Sequence, residues 1–188
     1  MDVRDLDRRA IEATGRIVDT LTDEQLAAPT PCPRWQVRDV VAHMADNKRR
    51  LLTALTGSAP EPGDDVRGDF RIAATALTAA FTEDSLLTAS YELLGIEYNA
   101  AVALFVHFAD TLVHGWDIGT AIGQDVRLPE DLVQAALKGI SRWPDDGTIW
   151  GKDGLFGEKL PVAEDATPQE KLLATTGRSP QWTPASTS

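Results

Sequence analysis

EYNAAVALFVHFADTLVHGWDIGTAIG, residues 97–123, carries the pattern that decides the fold. Ala100, Ala103, Leu104, Phe108, Thr111, Ile118 and Ala121 recur at helical spacing, and Gly123 supplies a stop. The spacing predicts a helix from about Glu97 to Ile122. Within it, His107, Asp110, His114 and Asp117 are spaced three, four and three. On a helix these four positions share a stripe about 80° wide. Asp110 and His114 lie one turn apart and can converge on a single point above that face.

Reading outward, residues 85–95 suggest an irregular connection with a little extended structure. A third helix through Phe70, Ala73, Ala74, Leu77 and Phe81 precedes them, after a polar loop at 57–68. A second helix should begin near Gln36 and bury Val37, Val40, Val41, Met44, Leu51, Leu52 and Leu55. Gln36 is a poor cap, but Asp39 sits well for the positive end of the dipole. The segment AAPTPCPRW (27–35) holds three prolines, which no helix crosses. A first amphipathic helix is expected over roughly 2–26. Downstream, Pro129 and Glu130 open a fifth helix to about Trp143. Glycines in 147–157 suggest turns and a short hairpin, and Thr167 to Thr176 forms a short helix with Thr167 as cap and Gly177 as stop. The last residues, 180–188, are expected as a loose tail. Four long helices with short connections predict an all-α helical bundle.

The chain has 188 residues, the length of one domain. A bundle over about 1–143 and an extension over about 144–188 are expected. The net charge of −11 repels phosphate backbones and anionic lipid, which argues against nucleic-acid or membrane-surface partners. No apolar run approaches the ~20 residues of a spanning helix. The charged start MDVRDLDRRA lacks a signal peptide's apolar stretch. A cytoplasmic protein is expected. The single cysteine, Cys32, excludes an internal disulfide.

The chain holds three histidines, His43, His107 and His114. A histidine and a carboxylate at i, i+4 can ligate one divalent ion, and His43, in register with Val40 and Asn47, can supply a third ligand from another helix. Three protein ligands leave positions open for water or substrate, the arrangement of a catalytic site. Plainer readings stand beside this one. A helical histidine is more often a satisfied core residue, and Asp110 with His114 can be an ordinary ion pair. Trp35 and Trp116 are expected to anchor packing. Asp117 can orient His114 or satisfy a neighbouring backbone group. Cys32, with no histidine near in sequence, is expected as a buried structural thiol. Asn47 shares a face with His43, while Lys48, Arg49 and Arg50 suggest a solvated basic run. No phosphate-cradling loop or Gly-x-Ser-x-Gly elbow is present.

At these residues the chain resembles a known family. TPCPRWQVRDVVAHM (30–44) is similar to the opening of the metal-binding domain of mycothiol-dependent maleylpyruvate isomerases, within the DinB/YfiT-like superfamily of four-helix metalloproteins. FADTLVHGWDIGTAIG (108–123) resembles its second signature, an acidic residue and a histidine one turn apart followed by Gly-Trp-Asp. DATPQEKLLATTGRSPQW (165–182) is similar to the C-terminal segment of an actinobacterial branch. The resemblance implies a DinB-like bundle with His43, Asp110 and His114 as metal ligands. His107 would be a partner of the ligands or a pocket-facing residue. The isomerase uses glutamate where this chain has Asp110, so the shorter carboxylate would act through water or draw the helices closer. The isomerase also has a further C-terminal domain, for which 188 residues leave no room, so isomerase activity itself is not expected. What the resemblance implies instead is a metal-dependent enzyme that activates a thiol or water on a small organic substrate. Zinc leads as the ion, with nickel or iron as alternatives, and mycothiol is the implied cosubstrate. A homodimer is compatible with the chain. The alternatives are a non-catalytic metal- or small-molecule-binding module and a scaffold with no metal.

Overall fold

A computed structural model describes residues 1–93, 95–151 and 154–184. Four long helices form the body: α1 (Val3–Val18), α2 (Val37–Thr56), α3 (Val66–Ala80) and, after the four-residue α4 (Asp84–Leu87), α5 (Ala100–Ala121). A hairpin of β1 (Ser90–Leu93) and β2 (Ile96–Asn99) leads into α5. The shorter α6 (Glu130–Ile140) and α7 (Pro168–Thr175) follow. α1 packs along α5, α2 along α3, and α2 against α5. The architecture is the expected all-α, DinB-like bundle. Among the described residues, no helix is long and apolar enough to cross a membrane.

Local chemistry sets the element ends. Asp39 Oδ2 accepts the Gln36 amide at 2.8 Å and starts α2 despite the poor cap residue. Thr167 and Glu170 exchange side-chain to backbone bonds at the start of α7, as expected. Elsewhere the boundaries move. α1 stops at Val18 rather than near 26, because Thr22 and Gln25 bond each other's amides and open a separate 3-10 turn at Gln25–Ala27. α3 starts at Val66, inside the expected loop, where Asp65 Oδ1 accepts the Gly68 amide at 2.7 Å. The extended structure expected in 85–95 is the hairpin, which reaches Asn99. Asn99 then caps the Val102 amide at 3.1 Å, so α5 begins at Ala100 and not Glu97. α6 ends at Ile140, three residues before Trp143. In 147–157 the described residues show no strand hairpin. They form turns closed by an isolated bridge between Trp150 and Phe156, and positions 152–153 lie outside the described residues. The expected tail falls partly outside them too, at 185–188.

The core has three parts. Leu6, Phe108, Leu112, Leu132 and Ile140 join α1, α5 and α6. Val40, Met44, Phe70 and Ile118 fill the middle, and Leu51, Leu77, Phe81 and Leu104 the end near the hairpin. Each large side chain so buried contributes about 1.5–3 kcal/mol. Gly115 lets α1 and α5 close up: a Cβ there would collide with the Thr14 hydroxyl, which donates to Thr111 O at 3.0 Å.

Charged groups also lie in this core. Lys48 is 1% exposed, not part of a solvated face. It continues the buried stripe of Met44 and Leu51, and its Nζ donates to Thr111 Oγ1 at 2.8 Å. Arg49 also turns inward, pairing with Asp69. Asp7 is buried, and its Oδ1 has no hydrogen-bond partner among the described residues.

Candidate metal centre

α2 and α5 cross so that His43 on one faces Asp110 and His114 on the other. His114 Nε2 lies 3.2 Å from Asp110 Oδ1, and His43 Nε2 lies 3.7 Å from Asp110 Oδ2. The imidazole rings meet edge to face with centroids 5.2 Å apart. One ligand atom from each residue falls within 4.8 Å of the other two. Atoms sharing one ion at ~2.0–2.1 Å in a tetrahedron stand roughly 3.3 Å apart, so two imidazoles and one carboxylate spaced in this way fit a divalent metal. The short Asp110 side chain turns one oxygen toward each histidine.

The surroundings hold these side chains in place. Asn47 Nδ2 lies 2.9 Å from His43 Nε2 and 3.4 Å from Asp110 Oδ2. Trp35 packs in the middle core as expected, and its ring also lies 4.8 Å from the His43 ring and 6.2 Å from that of His114. The loop that carries it is pinned by Thr30 N–H to Trp35 O and Trp35 N–H to Cys32 O, both 3.1 Å. Arg34 takes φ 70° between them, a strained conformation for a residue with a Cβ.

The electrostatics favour a cation at this point. Burial disfavours charge on His114, yet Asp110 and then Asp117 on either side raise its pKa well above 6.5. Asp110 is likewise opposed by burial but held ionised by His114 and His43. The field that keeps a proton on His114 also attracts a divalent ion, which would displace that proton. His107 is a different case. It is half-buried, and desolvation and then Lys48 lower its pKa to about 3, so it is neutral.

A cavity of about 330 Å³ opens beside His43 and Asp110. His43, Asn47, Arg50, Tyr91, His107 and Asp110 line it from the bundle and hairpin, and Gly154, Leu155 and Phe156 close one wall. His107 and Asn47 therefore face the pocket as expected. Trp116 is buried and borders a larger cavity of about 810 Å³, which touches none of the three candidate ligands and lies away from this chemistry.

Cys32, Asp117 and Arg178 take places the sequence did not indicate. Cys32 is half-buried, not the buried structural thiol expected. Its Sγ lies 3.3 Å from Asp117 Oδ2, in one group with His114. Asp117 orients His114 by accepting from Nδ1 at 2.8 Å, and its reach is not merely local, because Arg178 Nη2 donates to the same oxygen at 2.9 Å. Despite burial, Arg178 and then His114 hold the Asp117 carboxyl below its usual range. Arg178 is placed by a turn after α7. Gly177 takes φ 83°, its N–H bonds Ala174 O, and the Arg178 N–H bonds Leu173 O at 2.8 Å. That turn was legible in the sequence, but the 61 positions separating Arg178 from Asp117 hid the contact.

The uncharacterized proteins Rv0738 and MT0763, from two strains of Mycobacterium tuberculosis, are each 24% identical to this chain over 174 residues. The alignment covers 92% of this chain and 95% of each relative. No solved structure matches. The model of the mycothiol maleylpyruvate isomerase N-terminal domain matches residues 8–119, which run from within α1 through most of α5 and include His43, Asp110 and His114, and the chain belongs to that family.

Proposed function

We propose that this protein is a divalent-metal-dependent enzyme, with zinc held by His43, Asp110 and His114, acting on a small organic substrate with a thiol as cosubstrate. The observation that carries the reading is Asp110, whose two oxygens face the two imidazoles at 3.2 and 3.7 Å beside an open cavity. Zinc suits two imidazoles and one carboxylate, and three protein ligands leave room for another. Bound there, the metal supplies Lewis-acid activation of a thiol or water. The protein's own groups do the rest. Asp117 fixes the His114 ring, and the neutral His107 can exchange a hydrogen bond with a bound molecule. Trp35 covers both imidazoles. Mycothiol is the leading thiol by family membership. The whole chain would act as a single domain in the cytoplasm.

The test is zinc-loaded protein incubated with mycothiol and a panel of small electrophiles, with thiol loss followed over time. The expected result is turnover that a chelator abolishes and Asp110→Asn removes. Bound zinc without turnover of any thiol or hydrolytic substrate would favour a non-catalytic metal-binding module.

A further inference from the structure

His114 belongs to two possible ligand sets. Through Nε2 it faces Asp110 and His43. Through Nδ1 it faces Asp117 Oδ2 at 2.8 Å, and Cys32 Sγ stands 3.3 Å from that same oxygen. Cys32, His114 and Asp117 form a second three-residue group whose ligand atoms lie within 4.8 Å of one another. Thiolate, imidazole and carboxylate are all good zinc ligands. A neutral imidazole has a single ring lone pair, so it serves one set at a time. Nothing in the two donor sets alone selects the first.

Arg178 makes the difference. Its Nη2 donates to Asp117 Oδ2 at 2.9 Å and to Cys32 Sγ at 3.2 Å. Its Nε lies 3.3 Å from both Asp117 oxygens, and Nη1 donates to Thr176 O at 2.6 Å. A guanidinium is always charged and holds its donors in a rigid fork. We propose that Arg178 is a resident cation that fills the Cys32–His114–Asp117 group, commits the His114 Nε2 lone pair to His43 and Asp110, and so sets where the metal binds. This rests on the metal-centre reading above. It makes Arg178 a positioning residue, contributed from outside residues 8–119 of the family match. Without its charge, the Cys32 sulfur and the Asp117 carboxylate are free to compete for the ion.

Cobalt reports the outcome directly, because a thiolate ligand adds a sulfur-to-cobalt charge-transfer band in the near ultraviolet. The full-length wild type, Arg178→Ala, Arg178→Gln, Arg178→Lys and the Arg178→Ala/Cys32→Ser double variant would be titrated with cobalt. Circular dichroism would check the fold, and Arg178→Gln keeps the test open if the alanine variant fails to fold. The wild type should bind one equivalent without the thiolate band. Arg178→Ala and Arg178→Gln should show the band, lost again in the double variant, with the cobalt Kd changed by about 10- to 100-fold. Arg178→Lys should restore the wild-type spectrum. A thiolate band in the wild type, or neutral variants with unchanged spectrum and Kd, would overturn the inference. A wild type that binds no cobalt would overturn the metal-centre reading and this inference with it.

Discussion

Asp7 shows what a single buried charge costs. It lies within the bundle, with Lys48 partly offsetting its burial and one oxygen unpaired among the described residues. Burial raises its pKa to about 6, against an ordinary value of 3.8. Between those values the folded chain holds a proton that the unfolded chain has released. Stability therefore falls as pH rises from about 4 to about 6, and the cost is fully present above that. Two pKa units correspond to about 3 kcal/mol. Asp7→Asn removes the titrating group. Its unfolding free energy relative to wild type should rise by up to about 3 kcal/mol between pH 4 and pH 7.5, measured by urea unfolding. A difference that stays flat or reverses with pH would contradict the burial argument. Lys48 carries the related lesson for sequence reading. Its place between Met44 and Leu51 on the buried stripe was visible, but lysine is so seldom interior that the periodicity was outweighed.

At the scale of elements, the meeting of His43, Asp110 and His114 depends on how closely α1, α2 and α5 approach. Gly115, next to His114, permits the α1–α5 contact at Thr14. Gly115→Ala must push back Thr14 or break its bond to Thr111 O, in the same turn that holds Asp110. Overpacking of this kind costs about 1–3 kcal/mol. Thermal unfolding should register that loss, and an unchanged melting temperature would mean that the helices can separate freely. Element boundaries were legible where side chains cap them, as at Thr167 and Asp39. The end of α1 was not. Leu21 and Leu26 stay buried after the helix has stopped, so the apolar pattern ran on past the hydrogen bonds.

For the whole molecule, the bundle could be read from the apolar spacing of its helices, and the meeting of His43, Asp110 and His114 within 4.8 Å from their mid-helix positions together with the motifs around them. The helical period places such residues on faces, and two faces that must both be buried meet. The second group was not legible, because Cys32, Asp117 and Arg178 come from a proline-rich loop, a helix and the turn after α7. Periodicity does not relate segments of those kinds, and Cys32 and Arg178 are 146 positions apart. The C-terminal segment therefore does more than extend the bundle. It supplies the Phe156 wall of the cavity and the cation on Asp117. The central claim is a single divalent ion at the crossing of α2 and α5. Elemental analysis of untagged wild type and His43→Ala, side by side after incubation with zinc, tests it most directly. The account predicts about one equivalent of zinc in the wild type and its loss in the variant. Equal zinc in both proteins, or none in the wild type, would contradict it.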